Sequence, residues 1–319
     1  VRVLAIGATG FIGRHVIPRL VDHGHEVAVL HRGETMASLP EGVVDISGDR
    51  DRLFDSQAEL ERLAPDVVLD LVLYTEQQAQ ELVRTLRSTA CRVVAVSSSD
   101  VYRNYDGFRG KATAPPDHAP LSEDAPLREL RYPYRGQEIP FKYAHDYEKI
   151  LVEQIILGDG ALPATALRLP AVYGPGDRQH RLQPYLRRMA DNEVRILLEE
   201  RQATWRWTRA FVENVAAAVA LVVMDPRSVG HVYNVGDEPT LTEREWVERI
   251  ARLAGWGGDV VALPRTHLPD ELRQPVDWRY DLWTDNTALR SELGYVPPVP
   301  LEEALGRTVE WECSELQGE

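Results

Sequence analysis

Residues 1–24 read VRVLAIGATGFIGRHVIPRLVDHG. The first six are short, apolar and rich in β-branched side chains, which suits a strand covered on both faces. Apolar positions then recur at helical spacing from Phe11 to a stop at Gly24. Between strand and helix stand Gly7, Gly10 and Gly13, three residues apart. Glycine accepts positive φ and lets backbone N–H groups come close to a ligand, and a helix N-terminus adds partial positive charge. Alone, such a triplet is a tight turn. After the first strand of a βαβ series it reads as a dinucleotide cradle, with Gly7, Thr9, Gly10, Phe11, Ile12 and Gly13 in contact with the cofactor.

That series continues outward. EVAVLH (26–31), VVDISG (43–48), DVVLDLV (66–72) and RVVAVSS (92–98) repeat the strand pattern, with polar helical segments between the last three. Strands alternating with amphipathic helices predict a Rossmann-type doubly wound parallel α/β sheet. The expected organisation is a dinucleotide-binding domain over 1–165, with 205–228 packing back on it. Residues 166–204 and 229–319 then form a smaller substrate-binding lobe. Residues 103–140, rich in Pro, Gly, Arg and Tyr, are too long for an ordinary connection and suit a loop flanking an active site. DYEKILVEQIILG (146–158) is expected to be helical, as are FVENVAAAVALVVMD (211–225) and TLTEREWVERIARLAG (240–255). In the last, Thr242 and Glu245 have capping-box spacing.

The totals narrow the function. The 319 residues include 50 acidic and 36 basic side chains, a net charge of −14, which disfavours nucleic-acid partners. Cys91 and Cys313 are the two cysteines and do not form a metal-like pair, so reduced thiols and no metal are expected. The N-terminal stretch has no basic leader, and no apolar run approaches the ~20 residues of a membrane span. A cytoplasmic protein without a membrane partner is the expectation.

At the end of the second strand, His31 and Arg32 stand where an acidic residue would hold an adenosine ribose. With Arg14 nearby they favour NADP, with NAD as the alternative. Arg32 as a solvated side chain and Glu34 as a ribose partner stay open. Asp49 either meets the adenine amino group or caps a turn.

Together these motifs resemble the extended short-chain dehydrogenase/reductase family, the NAD(P)-dependent epimerase/dehydratase group. GATGFIG is similar to its cofactor loop and SSSDVY (97–102) to its serine motif. LSEDAPLRE (121–129) resembles the loop before its catalytic helix, and LRLPAVYGPGD (167–177) its segment beside the nicotinamide. The resemblance implies Leu71 and Pro170 as further cofactor contacts and a Ser98 hydroxyl that polarises the substrate oxygen. It also implies a tyrosine that exchanges a proton with that oxygen and Lys149 as the residue that holds the nicotinamide ribose. Arg209 and Arg273 follow as substrate contacts that suit a diphosphate, Arg209 being otherwise a surface or ion-pair residue, and Tyr102 joins them. Asp100 stands where dehydratase members carry an acid or caps a turn, and Tyr74, in a run that departs from the family's, faces the substrate or closes the strand. The implied substrate is a small molecule, with nucleotide sugars among the candidates, and the implied assembly is a homodimer. Trp205 and Trp207 either enclose an apolar substrate or pack a strand.

The stretch YAHDYEK (143–149) departs from the pattern. If it is helical, Lys149 shares its face with His145, while Tyr147 points away. Glu153 fits the register. Histidine then replaces the tyrosine, and His145 or Tyr143 carries the proton. The expected function is an NAD(P)-dependent epimerase, dehydratase or reductase acting on a carbonyl or secondary alcohol. The alternative is a dinucleotide-binding sensor or scaffold without hydride transfer. Asp70, on a buried strand, needs a hydrogen-bonding partner.

Overall fold

The computed structural model describes residues 1–33, 39–87, 89, 91–111, 114–191 and 193–318. The chain opens with β1 (Arg2–Ile6), α1 (Gly13–Asp22), β2 (Glu26–His31) and β3 (Val44–Ser47). A 3-10 turn at Arg50–Ser56 runs into α2 (Gln57–Leu63), followed by β4 (Val67–Asp70), α3 (Glu76–Leu86), β5 (Arg92–Ser98) and α4 (Arg103–Phe108). After an irregular stretch come α5 (Lys149–Gly158), β6 (Ala164–Leu169), β7 (Ala171–Tyr173), α6 (Gln183–Ala190), β8 (Arg195–Glu199) and α7 (Glu200–Thr204). The remainder holds β9 (Arg209–Phe211), α8 (Val212–Met224), β10 (Val232–Asn234), α9 (Glu243–Leu253), β11 (Asp259–Leu263), α10 (Thr287–Leu293) and α11 (Leu301–Gly318).

Seven strands form one sheet in the order β10-β6-β5-β4-β1-β2-β3, and every pairing is parallel. Side chains alternate across it. Val3, Ala5, Val27, Val29, Val67 and Leu69 join the cluster that contains Val16, Ile17 and Leu20 of α1 and Val215 and Val219 of α8. Leu4, Ile6, Ala28, Leu30 and Val68 join Leu82 of α3 and Val152 and Ile156 of α5 in the other cluster. Both faces are covered, which is why the strands read as continuous apolar runs. The chain order reverses between β1 and β4, and there the carboxyl ends of the strands open a crevice.

Two expectations shift. The boundary at 165 falls inside β6, and β10, assigned to the smaller lobe, is the sheet's edge strand beside β6. The helix expected from 146 begins at Lys149. Residues before it are held in another conformation, because Tyr147 bridges Thr75 and Glu148 N–H donates to the Tyr74 carbonyl at 3.0 Å. By contrast, α9 begins as read. Glu245 N–H donates to Thr242 Oγ1 at 3.2 Å and Thr242 N–H to Glu245 Oε2 at 2.7 Å. Among the described residues no helix is long and apolar enough to cross a membrane, and no group of three His, Cys, Asp or Glu could hold a metal ion.

Candidate active site

The glycine turn between β1 and α1 is enforced by crowding. Gly7 has φ +73°, and a Cβ there would lie 2.5 Å from the Val72 methyls. At Gly13 a Cβ would lie 2.2 Å from the Ala8 carbonyl oxygen, a backbone atom that cannot swing aside. Gly13→Ala is therefore expected to abolish dinucleotide binding and lower the melting temperature. Unchanged calorimetric affinity would contradict that expectation.

Above this turn lies a cleft of about 550 Å³. Gly7, Thr9, Gly10 and Phe11 line one wall, His31 and Arg32 the end of β2, and Gly48 and Arg50 the loop after β3. Tyr74, Phe141 and Tyr143 close the far side, with Asp177, Arg178 and Gln179 above. Ile12 is the N-cap of α1, and Leu71, whose N–H donates to the Ile6 carbonyl at 3.1 Å, is buried. Pro170 joins β6 to β7. His31 Nδ1 accepts from Gly33 N–H at 3.0 Å, and its Nε2 stands 2.8 Å from Asp45 Oδ1. Arg14, grouped with Arg32 on sequence, instead bonds the Pro175 carbonyl. Asp49 takes the turn-capping role, accepting from Asp51 N–H at 3.0 Å. Glu34 lies outside the described residues.

Asp70 has the partner its burial demands. Arg50 Nε donates to Asp70 Oδ2 at 2.6 Å and Arg50 Nη2 to the Gln78 carbonyl at 3.0 Å. Arg50 Nη1 is buried and has no hydrogen-bond partner among the described residues. No sequence signal singled out this arginine.

At the carboxyl end of β5, Ser98 Oγ accepts from Asp100 N–H at 3.2 Å. Asp100 is buried, and its Oδ2 accepts from Tyr147 Oη at 2.9 Å and from Tyr134 Oη at 3.0 Å. The Ser98 side chain lies close enough to the Tyr147 hydroxyl to favour its ionised form. Burial, then the charge of Asp100, pushes the Tyr147 hydroxyl well above the ordinary tyrosine range. Lys149 Nζ donates to the carbonyls of Leu73 and Val96, both at 2.7 Å, and lies 4.6 Å from the centre of the Tyr74 ring. Its burial lowers it to about 8. Tyr74, partly buried in the cleft wall, is pushed up to about 12 by desolvation.

The helical register drawn through YAHDYEK is thus corrected. His145 is exposed, its Nδ1 2.7 Å from Asp146 Oδ1, and it does not share a helical face with Lys149 because the helix starts at Lys149. Tyr147, set aside by the helical arithmetic, is the tyrosine beside Ser98. Tyr143 lies on the cleft wall, where its hydroxyl donates to Asp51 Oδ2 at 3.1 Å and its ring lies 5.3 Å from that of Tyr74. A readable signal did exist, since the acidic residues Asp146 and Glu148 immediately precede the apolar run from Ile150, as at a helix start.

The other substrate contacts take different places. Tyr102 is buried, donating to Asn234 Oδ1 at 2.7 Å and accepting from Arg168 Nη1 at 3.0 Å, so its hydroxyl ties β6 and β10 together. Arg209 pairs with Glu243 Oε2 at 2.5 Å, and its guanidinium lies 4.4 Å from the centre of the Trp246 ring. Arg273 pairs with Asp270 Oδ1 at 2.5 Å and donates to the Leu268 carbonyl. Each arginine is paired with a carboxylate of its own. Trp205 packs against Phe108 at 4.9 Å and Trp278 at 5.0 Å, the packing alternative for that tryptophan.

The family model described as NAD dependent epimerase/dehydratase family matches residues 3–236. A dTDP-glucose 4,6-dehydratase of Streptomyces niveus is 34% identical over 140 residues, 44% of this chain and 38% of that enzyme. The 2'-dehydrokanamycin reductase of Streptomyces kanamyceticus is 27% identical over 280 residues, 85% of this chain and 72% of that enzyme. The structure of dTDP-glucose 4,6-dehydratase from Bacillus anthracis in complex with NAD is similar at TM-score 0.69 and 18% identity, covering 99% of this chain and 98% of that one. That last likeness concerns the fold alone. With the glycine turn, the parallel sheet and the serine motif in place, the match over residues 3–236 decides the assignment: the chain belongs to the NAD dependent epimerase/dehydratase family.

Proposed function

We propose that this chain is a nicotinamide-dinucleotide-dependent enzyme that acts on a carbonyl or secondary alcohol, with nucleotide sugars as the substrate class favoured by the dehydratase relative. The observation that carries the reading is the Tyr147 hydroxyl, which donates to Asp100 with Ser98 close by, one aromatic ring behind the cleft. When bound, the dinucleotide supplies or accepts a hydride.

The residues present fit such a group. Crowding against Val72 and Ala8 keeps the turn to bare backbone, Gly7 and Gly10 line the cleft, and Arg50 keeps one unpartnered nitrogen at its margin. The turn from Gly7 to Gly13 would hold the diphosphate, and His31 and Arg32 the adenosine ribose. Ser98 and Tyr147 would receive the reacting oxygen, Tyr147 moving the proton. Tyr74, Phe141 and Tyr143 exclude water from that point. Lys149 ties the segment after β4 to β5 through its contacts with the Leu73 and Val96 carbonyls.

The arginine after β2 makes NADP the preferred form. In calorimetric titrations NADP is expected to bind at least about tenfold more tightly than NAD, the worth of one charge-assisted bond. Arg32→Ala should erase the difference. Tighter NAD binding by the parent protein would reverse the assignment.

One observation favours the second reading, a dinucleotide sensor or scaffold without hydride transfer. The Lys149 ammonium is committed to two carbonyls beneath Tyr74. Nicotinamide absorbance during incubation with nucleotide sugars and ketones separates the two readings: a bound dinucleotide whose redox state never changes supports the sensor.

A further inference from the structure

A bound dinucleotide would bring an anionic diphosphate to a chain whose net charge is −14. A cation in the cleft offsets that repulsion best when no carboxylate already holds it. Arg50 bonds Asp70, and His31 stands against Asp45. Arg178 differs, because it is exposed, lines the cleft, and its guanidinium has no hydrogen bond or ion pair among the described residues. We propose that Arg178 is a further contact for the dinucleotide's diphosphate, and that the C-terminal helix α11 holds it in place through His180. The inference rests on the reading of the cleft as a dinucleotide site.

Residues 174–182 run from β7 to α6 against the first turn of α1. Arg14 of that turn donates to the Pro175 carbonyl, and a Cβ on Gly176, where φ is +86°, would collide with the Arg14 guanidinium. The loop therefore packs on the helix start that would hold the diphosphate, whereas His31 and Arg32 stand at the end of β2. Asp177, the acidic residue beside Arg178, is buried. Its Oδ2 accepts from Arg181 Nη1 at 2.6 Å and its Oδ1 from Gln179 N–H at 3.0 Å, so its charge is balanced within the loop.

The other end of the loop is pinned from α11. His180 has φ +45°, a left-handed conformation that a non-glycine residue keeps only when its surroundings hold it. Its ring stacks on Trp311, with 5.2 Å between centres and 12° between planes. Its Nδ1 stands 2.8 Å from Oε2 of the fully buried Glu312. That carboxylate raises His180 above the ordinary histidine range, which agrees with an ion pair. His180 lies two residues from Arg178, so release of the ring from α11 loosens the segment that carries the guanidinium.

Calorimetric titration of the ligand-free protein with NAD and with NADP tests both parts. Arg178→Ala, at an exposed position, should weaken each dinucleotide about tenfold, the worth of one charge-assisted bond, because the diphosphate is common to both. A loss under about twofold overturns the proposal. So does a loss confined to NADP, which would assign Arg178 to the ribose 2′-phosphate instead.

Glu312→Gln should weaken NAD about threefold in the parent background and add no loss to Arg178→Ala, since it acts through that guanidinium. Should Glu312→Gln not fold, His180→Asn repeats the test, because asparagine accepts the left-handed backbone but carries no charge. Equal losses in the two backgrounds would give these residues a purely structural role and overturn the part assigned to α11. Absence of any NAD or NADP affinity in the parent protein is a separate result, and it removes the reading of the cleft and this inference together.

Discussion

Tyr147→Phe is expected to lower turnover by about 10²–10⁴-fold, the usual worth of a positioned proton carrier, with little change in dinucleotide affinity. The phenyl ring keeps its contacts with Tyr134 at 5.0 Å and Tyr74 at 6.2 Å, so folding should survive and the loss should fall on kcat. His145→Ala should leave kcat within about twofold, as for an ordinary exposed position. The two variants decide between competing registers. Loss in His145→Ala with survival in Tyr147→Phe would restore the helical arithmetic and sink the reading built on Ser98 and Asp100.

The second large effect concerns the support beneath the site. Arg168 on β6 binds Glu153 of α5 in two places, Nη2 to Oε2 at 2.7 Å and Nε to Oε1 at 3.0 Å. Ser97 Oγ donates to the same Glu153 at 2.5 Å, and Arg168 Nη1 reaches Tyr102 and the Glu123 carbonyl. Arg168→Met strands a buried carboxylate and is expected to cost about 3–5 kcal/mol in urea unfolding. Glu153→Leu combined with Arg168→Met removes both charges and should recover much of that loss, since the penalty lies in the unpaired charge. A double variant as unstable as the single one would show that the remaining hydrogen bonds dominate.

Much of the fold was legible because its signals are local. Gly7 and Gly13 are forced by Val72 and Ala8, and the alternating buried positions of β1 and β2 announce a sheet covered on both faces. Thr242 and Glu245 likewise settle their helix start between themselves. The site was harder to read because distant contacts decide it. The start of α5 depends on Thr75 and Tyr74, so a helical period drawn back through YAHDYEK gave the wrong neighbour for Lys149. Arg209, on β9, looked ready for a diphosphate because Glu243, its actual partner, stands far along the chain on α9. The role of Arg50 depends on Asp70 and Gln78, which belong to other elements.

The edge strand β10 also constrains synthesis. It pairs Val232, Tyr233 and Asn234 with Ala166, Leu167 and Arg168, so β6 keeps an open edge until Asn234 has left the ribosome. At ~5–20 residues per second that interval is on the order of 3–13 s. Asn234 then donates to the carbonyls of Leu121, at 3.1 Å, and Asp285, at 3.0 Å, so the loop before the site is fastened later still. A nascent chain stalled before β10 would expose a strand edge suited to pairing with other chains. Codon changes that slow translation between β6 and β10 should therefore lower the soluble yield without altering the stability of the finished protein.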